Sequence, residues 1–184
     1  MNRLIALGVL AAAAACHDAQ LSYTDPTGGA LRLVKNSRST GTAVVLDFVV
    51  GDKALTGYST GFDLPLDTGR VKLGPATPGK GLDPGSAPVA ASAAMPGDGP
   101  LRGMLVVGLS QKATGAGAVA TDTALAPGTV LYTIELDAVE PRDAGVVFDG
   151  TAKRFALPSG GLRNKAGATV VDVTGVAIGK LELR

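Results

Sequence analysis

Apolar and polar residues alternate along much of the chain after Ala30. In Val130–Asp137 the larger apolar residues fall at every second position, and Gly57–Leu64 shows a similar spacing. A period of two places successive side chains on opposite faces of an extended strand, so that one face is buried and the other is wet. The pattern therefore predicts strands of antiparallel sheets.

Short apolar runs bounded by glycine, proline, aspartate and serine recur through the chain, whereas no segment after residue 15 shows a capped helical pattern. We therefore predict an all-β protein, an antiparallel two-sheet sandwich of about nine or ten strands that residues 30–184 form as one domain. The predicted strands are Leu31–Lys35, Thr42–Val50, Gly57–Leu64, Arg70–Leu73, Ala87–Ala94, Arg102–Ser110, Thr129–Ala138, Gly145–Asp149 with Arg154–Leu157, Thr169–Val173 and Val176–Leu183.

Two stretches interrupt the strand pattern. Gly74–Gly85 is dense in glycine and proline, and Gln111–Gly128 is rich in small residues. Both are predicted to be loops, either functional or low-cost insertions. Because long surface loops are tolerated, removal of Ala113–Ala126 is expected to cost little stability.

The N-terminus has the pattern of a secretion signal. Arg3 precedes an apolar core, and the apolar run ends at Cys16, too early for a membrane-spanning helix. Ala13-Ala14-Ala15-Cys16 resembles the lipobox of bacterial lipoproteins, in which the cysteine is lipidated and becomes the new N-terminus. The resemblance implies a signal peptide over residues 1–15, lipid attachment at Cys16, and a flexible tether over residues 16–29. An ordinary cleavage site beside an unmodified Cys16 is the alternative.

The residue after the cysteine indicates the membrane to which such a lipoprotein is sorted. In the sorting pattern of such lipoproteins an aspartate at this position retains the protein in the inner membrane, and here the residue is His17. The expectation is therefore a lipid anchor in the outer membrane, with the domain on its periplasmic or surface face. His17 itself is interpreted as a solvated linker residue.

Charge and rare residues exclude several classes of function. The formal net charge is +1, which provides no field to attract nucleic acid. One cysteine and one histidine permit no internal disulfide and no Cys/His metal cluster. We expect a protein without a cofactor, a catalytic residue or a metal site.

Several weaker patterns in the sequence could indicate catalysis or ligand binding. Ser110 and Lys112 share a strand face, but the nucleophile-elbow motif of a serine hydrolase needs a glycine where Lys112 stands and a histidine that the domain lacks. Glu135 and Asp137 could form the carboxylate pair of a glycosidase, but we interpret them as acids of a solvated face. Gly115–Ala120 matches a dinucleotide fingerprint without the helix that it requires. Calcium stays open, because loop aspartates could converge on an ion; they are Asp63, Asp67, Asp122, Asp143 and Asp149.

The order of the strands, over about residues 42–184, resembles cohesin-type domains and their carbohydrate-binding-module relatives. Its matching positions are Gly57, Phe62, Leu64 and Asp67, then Gly128, Val130, Leu131 and Ile134, and finally Gly179, Leu181 and Leu183. The resemblance implies a jelly-roll sandwich of nine or ten strands and a role in holding protein modules at a cell surface.

The leading functional hypothesis is an outer-membrane lipoprotein that acts as a non-catalytic interaction or assembly module of an envelope complex, of the adhesion, secretion or motility type. Its partners would be the membrane, through Cys16, and an envelope protein whose identity the sequence does not give. An alternative is a carbohydrate or cell-wall ligand-binding module that uses Tyr58 or Tyr132, although the chain has no tryptophan and few aromatic residues. A hydrolase that uses Ser110 or Glu135 is the third hypothesis.

Overall fold

A computed structural model describes residues 19–83, 89–112, 121–150 and 160–184. These residues form fifteen β-strands and two single-turn 3-10 helices, Gly99–Leu101 and Val173–Gly175. The strands are β1 Leu21–Thr24, β2 Leu31–Lys35, β3 Ala43–Val50, β4 Leu55–Gly57, β5 Ser59–Pro65, β6 Val71–Pro78, β7 Val89–Ala94, β8 Met104–Gln111, β9 Thr123–Leu125, β10 Val130–Ala138, β11 Gly145–Asp149, β12 Gly161–Arg163, β13 Thr169–Val171, β14 Val176–Ile178 and β15 Lys180–Leu183.

Two five-stranded sheets dominate the fold. Sheet I has the order β14-β2-β3-β10-β6, and sheet II has the order β13-β12-β5-β8-β7. Sheet III contains β1-β15-β11, and β4 pairs with β9 in a small ribbon. Neighbouring strands are antiparallel, except that β14 runs parallel to β2. The prediction of an all-β protein built from antiparallel sheets is confirmed, and the arrangement is consistent with a sandwich.

The core lies between sheets I and II. Alternate side chains of β3 point into it, and Phe48 of this strand is 1% exposed. Phe48 meets Phe62 of β5 with the ring centroids 4.8 Å apart and the rings tilted by 56°. Since these two rings belong to different sheets, their contact fixes the two sheets face to face.

Sheet III begins inside the segment predicted as a flexible tether, so this part of the prediction is wrong. All four residues of β1 pair with β15, and Leu21 and Tyr23 of β1 are 5% and 7% exposed. The physical reason is the alternation in Leu21-Ser22-Tyr23-Thr24, which gives even this short segment an apolar face to bury. The folded domain thus includes residues before position 30.

The C-terminal segment, predicted as one strand, is two. β14 lies beside β2 in sheet I, and β15 lies between β1 and β11 in sheet III. The chain changes sheets at Gly179, where a Cβ atom would lie 1.9 Å from the carbonyl oxygen of Thr24. Only glycine allows that approach, and it therefore marks the crossing between the sheets.

Both predicted loops contain strand, and this too corrects the sequence analysis. β6 continues to Pro78 and pairs with β10, because an edge strand of sheet I tolerates Pro75 and Pro78. β9 lies within Gln111–Gly128 and pairs with β4. β12 was not predicted. The predicted strand Gly57–Leu64 is divided between β4 and β5 at Tyr58. The predicted strand at Arg154–Leu157 lies outside the described residues.

Substitution of Leu125 tests the revised view of the second loop. Leu125 of β9 is 1% exposed and stands opposite Leu55 of β4. Leu125→Ala is expected to lower the free energy of unfolding by about 3 kcal/mol, since it removes buried methyl groups and leaves a cavity. Ala124→Ser on the exposed neighbour is the control, and both are measured by urea unfolding. Equal stability of the two variants would restore the interpretation of a dispensable loop.

Tyr23 joins sheet III to sheet I through its hydroxyl group. The hydroxyl donates to the carbonyl oxygen of Leu33 at 2.7 Å and accepts from the backbone N–H of Gly179 at 2.9 Å. Tyr23→Phe leaves both backbone groups unsatisfied in a buried position, so a loss of about 1–3 kcal/mol is expected. Tyr132→Phe is the matched control because the hydroxyl of Tyr132 has no hydrogen-bond partner among the described residues. A loss no larger than that of the control would contradict the bridging role of Tyr23.

Tyr23 also sets an alkaline limit to stability. Burial raises its pKa above the ordinary value of 10.0, and the hydrogen bond from Gly179 opposes this only in part. A raised pKa in the folded state means that the stabilisation is fully present below pH 10 and is lost as the pH rises beyond it. In Tyr23→Phe the free energy of unfolding is expected to fall less steeply between about pH 10 and 12 than in the wild type, as measured by urea titrations.

Candidate functional site

The two residues of the proposed hydrolase pair lie near the end of β8. Ser110 is on the outer face of sheet II, and its hydroxyl donates to the carbonyl oxygen of Gln111 at 3.2 Å. Lys112 follows β8 and is exposed. Among the described residues no hydrogen bond joins the two side chains. The dinucleotide-like stretch Gly115–Ala120 lies outside these residues.

Glu135 and Asp137 lie on the outer face of sheet I. Both are partly exposed, and in the ladder between β10 and β3 they stand opposite Val45 and Ala43. In the ladder with β6, Asp137 stands opposite Lys72. The two acids therefore occupy a solvated sheet face rather than a cleft.

A third carboxylate on the same face belongs to a polar network. Asp47 accepts from the hydroxyl of Thr133 and from the side-chain amide of Asn36, each at 2.6 Å. These two hydrogen bonds connect β3 to β10 and to the hairpin after β2. Asp47 thus has a structural role in holding three elements of sheet I in register.

The five aspartates considered for calcium form no cluster of three ligands among the described residues. Asp67 forms an ion pair with Arg70, and Asp122 accepts from the backbone N–H of Lys165 at 2.6 Å. Asp143 is exposed and offers its backbone oxygen to Arg70 at 3.2 Å. Asp63 is completely buried, and within the described ranges no three His, Cys, Asp or Glu residues are grouped so as to hold a metal ion.

The two tyrosines named for sugar binding differ in accessibility. Tyr132 is 3% exposed, and its burial raises the pKa of its hydroxyl group. Tyr58 is partly exposed between β4 and β5. Because a sugar platform requires an open ring face, Tyr132 is not a platform in this fold.

Two of the clefts on the described surface bear on ligand binding. One, of about 310 Å³, lies on the outer face of sheet II. Its lining includes two glycines and two charged residues: Gly61, Gly108, Asp63 and Arg163. The other, of about 460 Å³, lies between the β1–β2 connection and the β14–β15 segment. Its ionic side chains are engaged, since Asp25 accepts from the N–H of Lys35 at 2.6 Å and Lys180 pairs with Glu182 at 2.5 Å.

Gln20, just before β1, and Arg184 meet at one end of the fold, which we call the terminal end. Gln20 and Arg184 exchange backbone hydrogen bonds of 2.7 and 3.0 Å. The backbone N–H of Leu21 donates to Gly41, which begins the approach to β3. Residue 16 is thus only five positions before a strand that is fixed in the fold.

The terminal end carries arginines that are largely neutralised by acids. Arg70 pairs with Asp67, Arg142 pairs with Glu140, and Arg184 pairs with Glu182. Hydrogen bonds from Lys180, and then from Arg184, lower the pKa of the Glu182 carboxyl group. Each of these three ion pairs is neutral as a pair.

Comparison with known proteins assigns no relative to this chain, since no family model, no curated protein and no solved structure matches it. The cohesin-like resemblance stays a prediction. No helix among the described residues is both long enough and apolar enough to cross a membrane.

The terminal end is not evident from any single stretch of the sequence. Its signal was present in two places, the apolar–polar alternation of Leu21–Thr24 and that of Lys180–Leu183. Each is only four residues long, and short alternating runs are frequent in loops as well. The two runs become strands by pairing with each other, and they are far apart in the sequence.

Proposed function

We propose that the protein is an outer-membrane lipoprotein, anchored through Cys16, that acts as a non-catalytic interaction or assembly module of an envelope complex. Two features of the sequence support the anchor: the Ala13-Ala14-Ala15-Cys16 motif after an apolar core, and the position of the single cysteine of the chain within it. His17 after the cysteine supports the outer membrane as the destination.

The observation that carries the proposal is the short distance between Cys16 and β1. Leu21 lies five positions after Cys16, and five residues of extended chain span at most about 17 Å. A lipidated Cys16 would hold the terminal end of the domain next to the bilayer surface. The paired charges there suit such a position, because they carry no net charge that a lipid surface would repel.

The same geometry favours an interaction role. With the terminal end towards the lipid, the outer faces of sheets I and II stand away from the surface, where another envelope protein can reach them. Stable anchoring needs more than one acyl chain, and the lipid modification of such a cysteine supplies several. The domain would then act as a fixed, membrane-bound docking module.

Affinity purification from native membranes tests this proposal. A C-terminally tagged wild type is compared with Cys16→Ser, and Ser37→Ala in the hairpin after β2 is the control. The proposal predicts that wild type and Ser37→Ala sediment with outer membranes and recover a stoichiometric set of envelope proteins, whereas Cys16→Ser loses both properties. Unchanged processing and localisation of Cys16→Ser would overturn the anchor. Recovery of a lipidated protein alone would overturn the assembly role and direct attention to ligands of the two clefts.

A further inference from the structure

The cleft of about 460 Å³ lies beside the short strand β14. All three residues of β14, which are Val176, Ala177 and Ile178, line this cleft. Its volume is within the range of sites that bind small ligands, about 300–1,000 Å³. In sheet I, β14 pairs with β2 and has no second neighbour in the sheet, so its other edge is available to a molecule in the cleft.

The hydrogen bonds of β2 show which of its backbone groups point towards β14. The N–H of Gly51 donates to the carbonyl oxygen of Ala30, and the N–H of Asn36 donates to that of Val45. The even-numbered positions along β2 therefore bond towards β3, and the odd-numbered positions bond towards β14. In agreement, the carbonyl oxygen of Leu33 accepts from Tyr23 on that side.

The register of β14 then fixes the direction of its own backbone groups. Leu31 stands opposite Val176, and Leu33 stands opposite Ile178. In a parallel ladder a residue bonds to the two neighbours of its opposite residue, so Leu31 and Leu33 both bond to Ala177. It follows that Ala177 directs its N–H and C=O groups to β2, whereas Val176 and Ile178 direct theirs away from it.

Two of these outward groups lack a hydrogen-bond partner among the residues that the structure describes. They are the carbonyl oxygen of Val176 and the N–H of Ile178, whereas the N–H of Val176 donates to Val173. Val176 and Ile178 are only 6% and 3% exposed. Buried backbone groups are almost always hydrogen-bonded, so this acceptor and this donor require a molecule in the cleft to bond to.

The spacing of the two groups identifies the ligand as a peptide. One residue of an extended chain presents its N–H and C=O on the same side, and in a parallel ladder it bonds to residues two apart. A single trans amide, such as the acetamido group of a sugar, points its N–H and C=O in opposite directions and satisfies only one of the two groups. An antiparallel peptide would need the carbonyl oxygen of Ile178, but Gly150 packs against that oxygen, since a Cβ atom at Gly150 would lie 2.4 Å from it.

We propose that the cleft beside β14 is a peptide-binding site, in which one residue of an extended segment of another protein lies parallel to β14. The N–H of this residue donates to the carbonyl oxygen of Val176, and its C=O accepts from the N–H of Ile178. Its side chain lies beside that of Ala177, on the outer face of sheet I. The proposal goes beyond the envelope role and does not depend on the lipid anchor, because it concerns the folded domain alone.

A peptide titration of the ¹⁵N-labelled full chain in detergent tests the proposal. The probe is a tripeptide blocked at both ends, acetyl-Ala-Val-Ala-amide. The control peptide carries a methyl group on the valine nitrogen, which removes the N–H that donates to Val176. We expect the first peptide to shift the amide resonance of Ile178 in a saturable way, and the methylated peptide to have a dissociation constant at least tenfold higher.

A pair of variants places the binding in the cleft. Thr27 is exposed and lines the cleft, so Thr27→Trp should obstruct the cleft and raise the dissociation constant at least tenfold. Thr27→Ser is the control and should bind the peptide as the wild type does. If Thr27→Trp fails to fold, the comparison of the two peptides decides alone.

Three results would overturn the proposal. The first is no saturable shift up to about 10 mM peptide, which corresponds to almost no association. The second is equal binding of the two peptides, which would show that the backbone N–H of the ligand is not used. The third is a set of shifts that leaves Ile178 unaffected, or binding that Thr27→Trp does not weaken, since either would place the peptide elsewhere on the protein.

Discussion

A chain that begins at Pro26 is expected to lose most of its stability, because it lacks β1. Leu21 and Tyr23 are almost fully buried, and β1 also supplies a complete ladder to β15. Burial of two such side chains contributes about 1.5–3 kcal/mol each, and the bridge through the Tyr23 hydroxyl adds to this. The sum, about 4 kcal/mol or more, is a large part of the free energy of unfolding of a typical domain.

The comparison uses a chain that begins at residue 19 as the control, since it retains β1 and lacks the signal-like segment. Urea unfolding of the two chains measures the difference directly. The chain from Pro26 should show a lower midpoint or no cooperative transition. Equal midpoints would mean that residues 16–29 are a tether and that β1 is not part of the folded domain. The proposed anchor geometry, which depends on the short spacing between Cys16 and β1, would then be wrong as well.

The substitution Phe48→Ala is expected to lower the free energy of unfolding by about 3–5 kcal/mol. Phe48 is 1% exposed and meets Phe62 across the two main sheets. Truncation removes the ring and leaves a cavity at the point where the sheets face each other. Arg38→Ala in the exposed hairpin is the control and should change stability by no more than about 0.5 kcal/mol.

A double-mutant cycle separates the ring contact from general burial. Phe48→Ala, Phe62→Ala and the double variant should show a coupling energy of about 0.5–1.5 kcal/mol, the range for aromatic pairs. Additive losses would show that the two rings do not contact each other. In that case sheets I and II would not face each other as described.

The strands that the alternation predicted best are those with one face in the core. β2 and β11 were predicted with their observed bounds, and β3 and β10 within one residue of their observed ends; β3 and β10 each have four apolar residues at every second position. A period of two is sufficient to predict such a strand, because burial of the apolar residues determines both where the strand lies in the sequence and which face points into the core. The all-β class was predictable for the same reason.

Other elements depended on distant partners and were missed or misplaced. β1 and β9 are short, and they are strands only because β15 and β4 pair with them. The switch at Gly179 depends on the carbonyl oxygen of Thr24, which lies far away in the sequence. No local pattern contains that information, so propensity and alternation could not supply it.

Burial at the candidate sites was equally hard to read from sequence. Asp63 alternates with the core residues Phe62 and Leu64, which suggests an exposed carboxylate, yet its exposure is 0%. Tyr132 alternates with Ile134 and is buried as the alternation indicates, which removes it from the sugar-binding hypothesis. Alternation shows which residues share a face, but what covers the outer face depends on the tertiary structure.

Intact mass spectrometry of the protein extracted from native membranes, with sequencing of its N-terminal peptide, tests the lipid anchor at Cys16. We expect a chain that begins at Cys16, lacks residues 1–15 and carries acyl groups on that residue. A chain with an unmodified Cys16, or one that still carries residues 1–15 when extracted from the outer membrane, would contradict it.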